Sequence, residues 1–130
     1  MPISLYLSKV AETREVLAER FPSTFMRKGE KNKLPLMIGI TDNVIAALPE
    51  LDPELIQAAI RDYCSGPKYA RAMKVGAQRV DLEGRPAGTV SADAHERALR
   101  LEEKRRRAAR ELQARRVATK AQRRAEGAFP

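Results

Sequence analysis

The sequence predicts an α+β domain that is mainly α-helical, with a small β element and a long basic C-terminal helix. Three features carry this. Apolar side chains recur at helical spacing in several short stretches before residue 75, most of them bounded by proline. Two short β-prone runs flank a Gly- and Pro-containing connection around residue 84. From Ser91 onward, glutamates repeatedly precede arginines by four residues, the sense that supports an exposed helix.

The first helix is expected over residues 8–21. Val10, Leu17 and Phe21 fall close to one face with Val16 beside it, while Glu12, Arg14, Glu15 and Glu19 point elsewhere. Phe21-Pro22 ends it, because the residue before proline is pushed out of the α region. Phe25 anchors the following turn, and residues 27–33 form a polar basic loop. Residues 35–40 are a short apolar run that reads as a strand or extended segment. Thr41 then caps a short helix, with Asp42 in its first turn and Val44, Ile45 and Leu48 on its buried face.

Asp52-Pro53-Glu54 is a strong helix start: a capping acid, proline at the first helical position, and a second acid. Leu55, Ile56, Ala59, Ile60 and Tyr63 form its apolar stripe. Ser65-Gly66-Pro67 breaks this helix and opens the next, over residues 67–74. Residues 80–82 and 88–90 are expected to pair as a hairpin. Ser91 caps the long last helix, from which Leu99 and Leu101 reach the body. Beyond Glu103 the large aliphatics are only Leu112 and Val117, too sparse for a coiled-coil seam. The reading is therefore one domain over residues 1–105 and a basic, exposed helical or disordered tail over 106–130.

The 130 residues carry a formal net charge of +8, unevenly placed. Residues 1–95 are close to neutral, with 13 basic and 12 acidic side chains, while residues 96–130 hold 12 basic and 5 acidic. A near-neutral body with local basic stretches and a basic tail favours a polyanionic partner. One cysteine and one histidine exclude a disulfide framework, a Cys-rich zinc site and any two-histidine metal motif. No apolar run approaches the about 20 residues of a membrane span, and no secretory signal is evident. The expectation is a cytoplasmic monomer with no cofactor, no metal, no membrane association and no small-molecule substrate.

Catalysis finds little support. Cys64 ends an amphipathic helix, where a small buried side chain is common. His95 lies in the first turn of a polar helix and is expected to be exposed, and Asp42, Asp52 and Asp93 are explained as caps or first-turn acids. The protein is read as a binding protein, not an enzyme. The binding case rests on residues 61–79, where Arg61, Ser65, Gly66, Lys68, Tyr69, Lys74 and Arg79 are gathered. The break at Ser65-Gly66-Pro67 opens a helix N-terminus, whose free N–H groups suit an anion. Tyr69 can stack a base or serve the core, and Arg79 can pair with a phosphate. Lys28, Lys31 and Lys33 are secondary candidates.

At these residues the sequence resembles the ProQ/FinO family of bacterial RNA-binding proteins. The resemblance runs from Leu17-Ala18-Glu19-Arg20-Phe21-Pro22 with Phe25, through Pro35-Leu36-Met37-Ile38-Gly39-Ile40 and residues 61–69, to residues 74–82 with Gly84 and Gly88. It covers roughly residues 8–105. It implies an RNA chaperone that binds terminator-type hairpins with a free single-stranded 3′ end and acts in small-RNA-based post-transcriptional regulation. Tyr69 and Arg79 match a tyrosine and an arginine of the family's RNA pocket. Ser65 and Gly66 match its helix N-terminus, and Arg61, Lys68 and Lys74 match positions often basic. Met37 and Gln57 stand where relatives often carry a basic residue, and Pro67 where some carry an aromatic. The alternative reading is a protein- or ribosome-interaction module that uses its arginine-rich helix without a defined RNA ligand.

Overall fold

A computed structural model describes residues 2–27, 29–30 and 32–127. Helices α1 (Ile3–Arg20), α2 (Ile40–Ala47), α3 (Pro53–Cys64) and α4 (Pro67–Ala72) precede strands β1 (Gln78–Val80) and β2 (Pro86–Thr89) and helix α5 (Ala92–Gly127). The mainly helical α+β architecture with a two-stranded sheet is the one expected from the sequence.

Helix α3 organises the core. Asp52 starts it by accepting the Glu54 N–H at 2.9 Å, with Pro53 at the first turn. Its stripe of Ile56, Ala59, Ile60 and Tyr63 is buried against α1, through Val10 and Leu17, and against α2, through Val44 and Leu48. Burying each large aliphatic side chain contributes about 1.5–3 kcal/mol, so this layer carries most of the packing energy. Tyr63 meets Phe25 edge-on at 5.2 Å, and its hydroxyl accepts the Met26 N–H at 3.0 Å. That bond satisfies the one polar atom of a buried ring.

Several element boundaries differ from those expected. Helix α1 begins at Ile3, well before residue 8, because its first turns are helical without a buried face: Ile3, Leu5, Tyr6 and Leu7 are all exposed. Residues 35–40 make only an isolated parallel bridge, Leu36 beside Val80, before the chain turns at Gly39. Gly39, in the left-handed region at φ 84°, leads into α2 in place of the expected Thr41 cap. That backbone geometry favours glycine.

The hairpin lies N-terminal of its expected position, with Gln78 opposite Thr89 and Val80 opposite Pro86. Asp81 is the reason. Its carboxylate accepts the N–H groups of Glu83 and Arg85, each at 2.9 Å, so the turn starts directly after Val80.

Ser91 caps α5 as expected, its hydroxyl accepting the Ala94 N–H at 3.1 Å. The helix then runs unbroken for 36 residues, about 54 Å at the usual rise. Only its first turns meet the body. Leu99 and Leu101 stay exposed, and Ala94 and Ala98 make the contact instead. From Glu103 to Gly127 every residue is exposed. Glu96–Arg100 and Glu102–Arg106 pair at 3.9 and 3.3 Å, while Glu103 meets Arg110 at 3.5 Å rather than Arg107.

Candidate nucleic-acid interface

The end of α3, one face of α4, the middle of β1 and the start of α5 surround an open cleft of about 480 Å³. Arg61, Ser65 and Gly66 line it from the α3–α4 junction, Tyr69 from α4, and Arg79 from β1. Helix α5 closes the other side with Ala94, Arg97, Ala98, Leu101, Glu102 and Arg105.

Arg79 is the anomaly of this wall. It is a charged side chain only 7 % exposed. Its Nη1 donates to the Leu36 carbonyl at 2.7 Å, but its Nε is buried with no hydrogen-bond partner. Leaving such a donor unmet costs about 1–3 kcal/mol, more for a charged group. Arg79 lines the cleft, and an acceptor there that reached Nε would remove that cost. With Nη1 already engaged, a bidentate grip through that nitrogen is not open to Arg79.

Tyr69 is also buried, at 8 % exposure. Its hydroxyl accepts the Leu36 N–H at 3.0 Å, and its ring lies edge-on to Tyr63 at 6.1 Å. With its hydroxyl engaged and its ring largely covered, Tyr69 serves the core as well as lining the cleft. Tyr69 acts as wall and brace. Burial pushes its hydroxyl up to about 12 and the neighbouring Cys64 thiol up to about 11, so both stay neutral near pH 7.

Gly66 differs from Tyr69 and Arg79 in that packing does not demand it. Its backbone has an ordinary negative φ, and a Cβ there would meet nothing within 4 Å. The open space belongs to the cleft mouth. Ser65 sits beside it, with its hydroxyl donating to the Asp62 carbonyl at 2.8 Å. Helix α4 has only 6 residues, shorter than expected, so its dipole is a weak anion attractor.

The remaining candidates lie elsewhere. Lys68 and Lys74 are exposed but do not line the cleft. Lys33 has a structural role: its ammonium donates to the Tyr63 carbonyl at 2.7 Å, near the C-terminus of α3, and sits 4.2 Å from the centre of the Tyr63 ring. Desolvation there lowers its pKa from the ordinary 10.5. Lys28 and Lys31 fall outside the described residues. His95, expected to be exposed, is half-buried and bonds the Met73 carbonyl through Nδ1 at 2.7 Å, tying α5 to the end of α4.

Sequence reasoning missed the α5 wall. Ala94 and Ala98, one turn apart, were the available signal, because small residues at that spacing let a polar helix approach a body closely. Glu102 is held by Arg105 at 2.6 Å and by Arg106 at 3.3 Å, and the Arg105 hydrogen bond keeps its carboxyl below the usual range. The cleft thus presents Arg61, Arg79, Arg97 and Arg105 against a single neutralised acid. Cationic forks above an apolar floor suit a ligand with both anionic and ring-like parts. Among the described residues, no helix is long and apolar enough to cross a membrane, and no acid, cysteine or histidine cluster could hold a metal.

The comparisons with known proteins agree with this architecture. The RNA chaperone ProQ of Aliivibrio fischeri is 39 % identical over 88 residues, covering 63 % of this chain and 41 % of that protein. That of Aliivibrio salmonicida is 38 % identical over the same length. The chain thus spans about two-fifths of the length of these relatives, 41 % by alignment.

The solution structure of a ProQ homolog from Legionella pneumophila superposes with a TM-score of 0.64 at 28 % identity, covering 75 % of this chain and 82 % of that one. The crystal structure of a FinO-like RNA chaperone from Neisseria meningitidis gives 0.58 at 27 % identity, covering 70 % and 90 %. The family model described as the ProQ/FINO family matches residues 7–125, which takes in every wall of the cleft and most of α5. With sequence and fold in agreement over that span, this chain belongs to the ProQ/FinO family.

Proposed function

We propose that the protein is an RNA-binding RNA chaperone that takes the single-stranded 3′ end of a structured RNA into the cleft between α4, β1 and α5. The observation that carries this reading is the buried Arg79, whose Nε lacks an acceptor in a cleft lined by three further arginines. A terminal nucleotide supplies what that wall lacks: acceptor oxygens, negative charge and a flat apolar ring. The deep narrow groove of duplex RNA admits no side chains, so recognition falls on the single-stranded end, backbone phosphates and shape. The relatives' description as RNA chaperones supports the same direction. Terminator-type hairpins are the RNA class with this geometry, and small-RNA-based regulation is the setting in which such a chaperone acts.

Competition binding tests the proposal. A hairpin with a free 3′ tail should outcompete an unstructured RNA of equal length. It should also outcompete the same hairpin carrying a 3′ phosphate or a tail extended into duplex. Equal competition by all of them would instead favour a generic arginine-rich module that docks on an acidic protein or the ribosome.

A further inference from the structure

The face of α5 that closes the cleft does not end with the cleft. At about 100° per residue, Arg116 and Arg123 fall within about 20° of the mean direction of Ala94 and Ala98, and Lys120 within about 60°. Glu103 and Glu111 point at least about 120° away from that direction. Along that face the cations form an interrupted stripe: Arg105 and then, beyond Ala109 and Leu112, Arg116, Lys120 and Arg123. A shallow groove runs along its outer part, lined by Arg116, Thr119, Lys120 and Arg123 with Arg115 at its edge. From Arg105 to Arg123 the stripe spans about 27 Å. Arg116, Lys120 and Arg123 take part in no ion pair among the described residues.

We infer that this stripe is a rail for the phosphate backbone of the base-paired stem whose 3′ end occupies the cleft. The inference rests on the reading of the cleft given above and extends it to a second contact surface. Three features favour duplex RNA as the occupant. The stripe lies on the helix face that walls the cleft and resumes about 17 Å beyond Arg105, within reach of one molecule seated in the cleft. It lies on one unbroken helix over a length comparable to a turn of duplex. Its outer cations, Arg116, Lys120 and Arg123, are held in no ion pair among the described residues, which leaves their charge for a phosphate backbone. The rest of the exposed helix also carries arginines, among them Arg110 paired with Glu103 and Arg106 paired with Glu102.

The test compares two triple variants of equal net charge. Arg116→Gln/Lys120→Gln/Arg123→Gln strips the rail, and Lys104→Gln/Arg107→Gln/Arg110→Gln strips the opposite face. Circular dichroism checks that both keep α5 helical. Binding is measured with hairpins that differ only in stem length and share one free 3′ tail. Wild-type affinity should rise with stem length and then level off. The rail variant should lose that rise, binding long stems about ten-fold more weakly and short stems nearly unchanged. Its salt slope should fall by about three, one for each lost phosphate contact. The opposite-face variant should keep the rise.

Equal losses for the two variants, or an unchanged stem-length dependence in the rail variant, would overturn the rail. Neither result touches the cleft, which is read separately as the preference for a free over a blocked 3′ end. A rail that fails leaves that preference intact. A cleft reading that fails removes the preference while the stem-length dependence survives.

Discussion

Tyr69 and Arg79 hold the two polar groups of one residue. The Tyr69 hydroxyl accepts the Leu36 N–H at 3.0 Å, and the Arg79 guanidinium donates to the Leu36 carbonyl at 2.7 Å. The extended segment before α2 is also bonded to Val80, through the Pro35 carbonyl and the Met37 N–H, each at 2.9 Å. Leu36 is thus clamped from α4 and β1 together. The same two side chains wall the cleft, so the fold of the 35–37 segment and the shape of the binding site are one construction. Variants at either position must be read on both scales.

Tyr69→Phe removes only the hydroxyl. The Leu36 N–H is then buried without an acceptor, at a cost of about 1–3 kcal/mol in stability. Because the ring is kept and the lost hydroxyl is one already engaged by Leu36, the folded variant should bind a 3′-tailed hairpin within a few-fold of wild type. Urea unfolding and a binding titration check the two halves separately. A stable variant that loses binding would give the hydroxyl a direct part in RNA contact.

Arg79→Lys separates the other two roles. A lysine can still reach the Leu36 carbonyl with a charged donor, but it lacks the Nε–H. Stability should change by about 1 kcal/mol or less, while affinity for a free 3′ end should fall about ten-fold or more, as expected for a hydrogen bond involving a charged group. The preference for a free over a 3′-phosphorylated end should shrink with it. Unchanged affinity in a folded Arg79→Lys protein would detach the unpartnered Nε from RNA binding.

Gly66→Ala tests the cleft mouth with little structural cost. Nothing lies within 4 Å of the new methyl group, so stability should move by about 1 kcal/mol or less, the usual scale of a helix-cap exchange. Affinity for tailed RNA should drop several-fold if the backbone at this position is approached by the 3′ end. Full affinity would mean that the terminus is bound deeper, against α5.

The sequence made the helices legible because their boundaries are local chemistry: Asp52-Pro53, Ser91 and Pro67 act within a turn of themselves. Five of the residues it singled out, Arg61, Ser65, Gly66, Tyr69 and Arg79, converge on one cleft. What it hid is long-range. That Tyr69 and Arg79 are buried depends on Leu36, more than 30 residues away from either. The engagement of Lys33 depends on the Tyr63 carbonyl, which sequence spacing gives no reason to suspect. The α5 wall depends on how a polar helix docks, and only two alanines announce it.

Lys33→Met should act on stability far more than on RNA. The ammonium bonds the Tyr63 carbonyl near the C-terminus of α3 and lies over the Tyr63 ring, each interaction worth on the order of 0.5–2 kcal/mol. The melting temperature should fall, and hairpin affinity should change only as much as one lost surface charge predicts. A loss of affinity beyond about ten-fold without a loss of stability would return Lys33 to the RNA-binding set.

Alkaline pH should loosen the cleft in a definite window. Cys64 titrates at about 11 in the fold against an ordinary 9.0, and Tyr69 at about 12 against 10.0, both because burial disfavours the anion. In that interval the unfolded chain has released protons that the folded chain keeps. Stability therefore falls as pH rises: the contribution is whole below about pH 9 and is lost on the way to about pH 12. Lys33 works in the opposite sense, since its folded pKa lies below 10.5, so the folded chain sheds that proton first and the decline is softened in its upper part. Urea midpoints should be flat from about pH 7 to about pH 8.5 and then drop. Cys64→Ser should delay the onset of the drop by removing the earlier titration, and Lys33→Met should make the fall steeper. The Cys64 thiol, protonated at neutral pH, should also react slowly with iodoacetamide until the protein is unfolded. A midpoint that stays level to about pH 11, with rapid alkylation of the folded protein, would mean that solvent reaches both groups and that the cleft floor is not closed around them.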